Sequence, residues 1–129
     1  MVVDSSAIIA ILLEEPDAET YAAALARPGA RLMSAVNLFE SALVAESRKG
    51  EIGRDWLDLL IADTRMEIVP FDGAQAQAAR AGWRSFGKGR HPAALNFADC
   101  CAYALAKLSG EPLLFKGRDF DLTDVTSYF

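Results

Sequence analysis

Met-Val-Val-Asp-Ser-Ser-Ala at residues 1–7 is the stretch that decides the fold. Three apolar residues are followed at once by short polar side chains of the kind that cap free helix amides. Apolar residues at helical spacing then run through Ala7–Glu15. This reads as a strand that passes directly into a helix, with Asp4 at the junction. Ser5 could cap the helix as well as Asp4 does, which would leave Asp4 for other work.

Outward from that junction the pattern alternates. Pro16 stops the first helix, and Asp17 opens a second that runs to Ala26 and closes at Pro28-Gly29. Arg31–Ala35, Met66–Phe71 and Pro112–Phe115 read as strands. Val36–Lys49 reads as a helix stopped by Gly50, Arg54–Thr64 as another, and Asp72 opens a helix to about Phe86. Leu95–Leu108 is the most apolar helix, stopped by Gly110, and Val125–Phe129 is a candidate edge strand. Gly87-Lys88-Gly89-Arg90-His91-Pro92 reads as a flexible loop, since glycines around basic residues adapt to a ligand. Strands alternating with helices predict an α/β sandwich around a central, mostly parallel sheet of four to five strands.

A chain of 129 residues with 52% hydrophobic and 24% charged residues predicts a single domain, residues 1–129, able to bury a core. Apolar runs such as Ala7–Leu13 and Ala102–Ala106 fall short of the roughly 20 residues of a membrane span. No basic segment followed by an apolar run marks a secretory leader, so a cytoplasmic location and no membrane partner are expected. Cys100 and Cys101 are adjacent and point to different faces of a helix, which predicts no disulfide, and they carry no metal-ligand spacing. A net charge of −5 argues against a general electrostatic nucleic-acid binder. Yet no Asp or Glu occurs from Gly73 to Ala98, a stretch that carries Arg80, Arg84, Lys88, Arg90 and His91. That local strip fits phosphate contact and a solvated helix face equally.

The acidic residues carry the chemistry. Ligands of open α/β sheets bind beyond the carboxyl ends of the strands, where Asp4 stands, although an N-cap aspartate is common. Glu40 shares a helix face with Val36, Leu43 and Val44, and no basic residue stands three or four positions away to pair with it. Asp99 is the only acidic or basic residue in Leu95–Ala106. In the middle of an apolar helix it requires a cation or a hydrogen-bonding partner, and Asn96, one turn earlier, could be that partner. Asp119 follows the strand Leu113–Phe115 and the turn Lys116-Gly117-Arg118, with Asp121 and Asp124 close behind. Carboxylates drawn within about 5 Å repel by roughly 3 kcal/mol per pair at an effective dielectric near 20. A site that gathers several of them therefore implies a hard divalent cation, of the kind that assists phosphodiester cleavage.

Four segments in order carry a resemblance over essentially the whole chain. They are Met-Val-Val-Asp-Ser-Ser-Ala at 1–7, Ser-Ala-Val-Asn-Leu-Phe-Glu at 34–40, His-Pro-Ala-Ala-Leu-Asn-Phe-Ala-Asp-Cys-Cys-Ala-Tyr-Ala-Leu-Ala at 91–106, and Pro-Leu-Leu-Phe-Lys-Gly-Arg-Asp-Phe at 112–120. The chain resembles the PIN-domain ribonucleases, specifically the VapC-type toxins of type II toxin–antitoxin (VapBC) systems. The resemblance implies a PIN-like three-layer sandwich and a triad of Asp4, Glu40 and Asp99. It puts Asp119 on the fourth, more variable acidic position, with Asp121 as a substitute. Ser5 or Ser6 matches the hydroxyl that supports the first aspartate, and Asn96 matches the polar residue one turn before the third acid. Ala98 stands where many relatives have Gly, and Cys101 where many have Phe; neither change removes a ligand.

The resemblance also implies endonucleolytic RNA cleavage that depends on Mg²⁺, or Mn²⁺ in its place, and leaves a 5′-phosphate and a 3′-hydroxyl. It implies a homodimer and inhibition by a cognate VapB-like antitoxin. On this reading Asp4, Glu40, Asp99 and Asp119 hold the ion directly or through water. Arg84, Lys88, Arg90, Lys116 and Arg118 are candidate RNA-phosphate contacts. Two other readings compete: a PIN-type binding or regulatory module without activity, and a phospho-acceptor receiver domain whose acceptor would be Asp72.

Overall fold

In the computed structural model, which describes residues 1–129, the opening stretch forms β1 (Val2–Val3) and passes through Asp4 alone into α1 (Ser5–Leu12). Then follow α2 (Ala18–Ala26), β2 (Leu32–Ser34), α3 (Ala35–Asp63), β3 (Glu67–Val69), α4 (Gly73–Phe86), α5 (Phe97–Ser109) and β4 (Leu113–Leu114). A short 3₁₀ turn covers Asp119–Leu122. The sheet order is β3-β2-β1-β4 and every pairing is parallel, with Val2 opposite both Leu32 and Leu113 and Ser34 opposite Val69.

Alternation along the strands builds two cores. Val3, Met33 and Leu114 point to one face, against Ile8 and Leu12 of α1, Leu25 of α2 and Leu57 of α3. Val2 and Leu113 point to the other, against Ala79 of α4 and Cys100, Tyr103 and Leu105 of α5. Helices thus cover both faces of a parallel sheet, the expected three-layer α/β arrangement.

One local expectation holds and two need revision. The two helices expected on either side of Gly50 are the two legs of α3, which meet at that glycine in a non-helical conformation (φ 59°, ψ −139°). The legs fold onto one another so closely that a Cβ at Gly53 would clash with the Ala45 carbonyl oxygen. Val125–Phe129 is not a full strand: it meets β4 through Leu113 alone, which donates to Thr126 and accepts from Tyr128. Helix α5 starts at Phe97 and not at Leu95, because Ala94 is left-handed (φ 51°) and Leu95 pairs back with Phe86 and Lys88. That same pairing ties down both ends of the Gly87–Pro92 loop.

Candidate active site

The carboxyl ends of β1 and β2 and the first turn of α5 bring the acids together. Asp4 is the N-cap of α1: its Oδ2 accepts from the Ser6 amide at 3.0 Å and the Ser6 hydroxyl at 2.5 Å. Asp4 itself therefore fills the capping position that Ser5 was expected to share, and Ser5 does something else. Its hydroxyl donates to Oε2 of Glu40 at 2.8 Å, across from α1 to α3. Asp99 lies in the first turn of α5, half-buried and not mid-helix, where it forms a reciprocal capping box with Asn96. Oδ2 of Asp99 accepts from the Asn96 amide at 3.0 Å, and the Asn96 side chain accepts from the Asp99 amide at 2.9 Å. Glu40 and Asp99 are thus each anchored through one oxygen, which leaves the second free to bind a cation, while the second oxygen of Asp4 receives only a long 3.4 Å contact from the Asn37 side chain.

Burial and mutual repulsion govern the electrostatics. Asp4 is 2% exposed, and burial pushes its carboxyl up to about 7; its bonds from Ser6 work against that rise, and the charges of Asp99 and Glu40 add to it. Burial raises Asp99 as well, opposed by its bond from the Asn96 amide and reinforced by Asp119 and Glu40. Asp119, rather than Asp121, is therefore the acid of the 3₁₀ turn that acts on Asp99. Residues two apart in a three-residue turn point to different sides. None of the ion pairs in the structure involves Asp4, Glu40, Asp99 or Asp119. A buried carboxylate without a cationic partner is costly.

The donor set tests which ion fits. The acids offer oxygen only. The neighbouring thiols of Cys100 and Cys101 are buried and pushed up to about 11 by that burial, so they stay protonated. That chemistry suits a hard divalent cation. No three carboxylate, imidazole or thiol side chains converge tightly enough to ligate one ion together as they stand. The arrangement fits an ion such as Mg²⁺, which takes one or two carboxylates directly and keeps several waters.

The PIN domain pattern matches residues 1–125. Ribonuclease VapC30 of Mycobacterium tuberculosis is 50% identical over 127 residues, covering 98% of this chain and 97% of the relative. Ribonuclease VapC of Mycolicibacterium smegmatis is 52% identical over 127 residues and covers 98% of both chains. The chain belongs to the VapC ribonucleases of the PIN-domain family. The fold agrees: M. tuberculosis VapC20, described as a sarcin–ricin loop cleaving toxin, superposes with a TM-score of 0.79 at 16% identity, over 97% of this chain and 95% of that one. Rickettsia felis VapBC2, solved bound to a promoter DNA fragment, gives a TM-score of 0.74 at 17% identity, over 98% and 94%.

VapC membership removes the receiver reading, and the structure shows why Asp72 misled. It follows the edge strand β3 and caps α4, accepting from the Gln75 amide at 3.0 Å. Among the basic residues proposed for RNA, Arg84, Lys88, Arg90 and Arg118 are exposed and in no ion pair. Arg90 lays its guanidinium 4.1 Å from the centre of the Trp83 ring. Lys116 differs from the expectation: its ammonium is taken by Glu15 and by Asp17 (2.8 Å), so its charge is spent within the protein. Its backbone amide also donates to the Ser6 hydroxyl at 2.9 Å, tying the loop that carries Asp119 to the cap of α1.

One site residue had no role assigned from sequence. Asn37 in the first turn of α3 is fully buried, and its Nδ2 donates to the Ala98 carbonyl at 3.1 Å and, at a longer 3.4 Å, to Oδ1 of Asp4. The signal that could have found it is its spacing: it stands one turn before Glu40, a carboxamide between apolar Val36 and Leu38.

Proposed function

We propose that the chain is a Mg²⁺-dependent endoribonuclease toxin, with Mn²⁺ able to substitute. The observation that carries this reading is Asp4: a buried carboxylate with no cationic partner, repelled by Asp99 and Glu40. A divalent cation offsets that repulsion, with Glu40 and Asp99 offering their unanchored oxygens, Asp4 its weakly held Oδ1, and Asp119 completing the rim. When bound, such an ion favours ionisation of a water at neutral pH and offsets charge on the leaving oxygen. The protein's own groups supply the geometry. Ser6 holds Asp4, Ser5 holds Glu40 and the Asn96 amide holds Asp99. Asp119, exposed at the start of the 3₁₀ turn, orients the attacking water. Asp121 has no part in this arrangement. Arg84, Lys88, Arg90 and Arg118 contact RNA phosphates.

The same proposal includes a homodimer, a cytoplasmic location and occlusion by a VapB-like antitoxin. Two exposed apolar surfaces support assembly with other chains. Val36, Phe39, Leu43 and Phe97 line a concavity that also contains Glu40 and Asn96. Ile52, Trp56 and Leu59 form a second surface on the distal leg of α3. No helix is long and apolar enough to cross a membrane. The test is cleavage of a panel of structured RNAs with Mg²⁺, with EDTA, and by Asp99→Asn. Cleavage only by the unaltered chain with Mg²⁺, leaving 5′-phosphate ends, is expected. Cleavage that persists in EDTA or in the variant overturns the assignment, and an intact protein inert on the whole panel favours a binding module.

A further inference from the structure

We propose that Asn37 is a positioning residue of the acidic site, whose carboxamide braces the three elements that carry Asp4, Glu40 and Asp99. This rests on the metal-site reading above. Asp4 comes from the end of β1, Glu40 from α3 and Asp99 from α5, and nothing in the chain sequence holds these apart at a set spacing. The side chain of Asn37 does. Its Nδ2 donates to the carbonyl of Ala98, the residue next to Asp99, and reaches Oδ1 of Asp4. Glu40 follows Asn37 by one turn on the same helix, so the position of Asn37 against α5 sets that of Glu40 against Asp99. This is the one side-chain hydrogen bond that joins α3 to α5.

The energetics single out the residue. Asn37 is fully buried, and its Oδ1 has no donor within the protein. A buried acceptor left unpaired costs stability, and an apolar residue would avoid that cost at a position chosen for packing alone. A donor aimed at two acceptors, retained at the expense of its own oxygen, fits a positioning role. The anchored backbone beneath it is independent of the carboxamide: Ser41, equally buried one turn on, donates to the Asn37 carbonyl at 2.8 Å. Residues that orient ligands in this way typically change metal affinity or activity by about 10–100-fold when replaced.

The test compares Asn37→Ala, Asn37→Leu and the buried control Ser41→Ala in the full chain. Mn²⁺ binding is followed by titration calorimetry, and kcat and KM for RNA by cleavage. Asn37→Leu keeps the volume, has no donor for either acceptor and removes the unpaired Oδ1, so it reports even if Asn37→Ala fails to fold. Both Asn37 variants are expected to lose roughly 10–100-fold in Mn²⁺ affinity and in kcat, with KM little changed, while Ser41→Ala keeps both. Mn²⁺ affinity unchanged in Asn37→Leu, or a loss of equal size in Ser41→Ala, overturns the inference while leaving the metal site standing. An unaltered chain that binds no Mn²⁺ overturns the metal reading and this inference with it.

Discussion

Replacing Asp4 by asparagine removes the charge that the fold accommodates least well, and the consequence for stability follows from its proton affinity. The unfolded carboxyl ionises near 3.8 and the folded one near 7, chiefly because of burial. At 1.36 kcal/mol per pH unit, the charged form is about 4 kcal/mol less favourable in the folded chain than in the unfolded one. The sign follows from proton counts: between these values the folded state holds the proton and the unfolded state does not. This contribution to stability is therefore full below pH 4, falls as pH rises, and is gone above about pH 7. Asparagine still accepts from Ser6 but never ionises. Urea unfolding in EDTA from pH 4 to pH 8 should show the Asp4→Asn chain gaining on the unaltered one as pH rises, by about 4 kcal/mol across the range. Saturating Mg²⁺ should then stabilise the unaltered chain and leave the variant unmoved. A stability difference that stays flat from pH 4 to pH 8 would mean that Asp4 is already compensated within the protein, and its standing as an unpartnered buried charge would fall.

The basic side chains make two further predictions, both read from RNA binding by the Asp99→Asn chain in a salt titration. Lys88→Ala/Arg90→Ala should weaken affinity and make the salt slope shallower by about 0.7 for each phosphate that is no longer neutralised; an unchanged slope would mark the strip as solvated surface. Lys116→Met should leave that slope unaltered, since Glu15 and Asp17 already take its charge, whereas Arg118→Ala should reduce it. A slope reduced equally by both substitutions would contradict the separation of their roles.

The frame of the molecule was legible because it rests on local rules. The strand-to-helix passage at Asp4, the break at Gly50 and the alternation of strands and helices are all short-range signals, and the folded chain puts each of them at the residues that carry it. The approach of Asp4, Glu40 and Asp99 was legible only by assuming that the strand ends meet. What failed depended on long-range partners. Leu95 looked helical beside Ala93 and Ala94, yet it pairs with Phe86 and so delays α5, which moves Asp99 from mid-helix into the first turn. Lys116 looked like a surface cation because its partners Glu15 and Asp17 lie about a hundred residues earlier in the chain. Asn37 was invisible for the same reason: its significance lies in Ala98 and Asp4, which only the folded chain brings to it.

Everything proposed for this chain depends on Asp4, Glu40 and Asp99 forming a divalent-cation site. Crystals grown with Mn²⁺ and measured at the manganese absorption edge probe that site without reference to activity. An anomalous peak is expected within coordinating distance of Asp4 or Asp99, bridged to Glu40 directly or through water, and absent from Asp4→Asn crystals. A map at saturating Mn²⁺ with no peak there, or with its peaks elsewhere on the molecule, would show that the acids do not form a metal site.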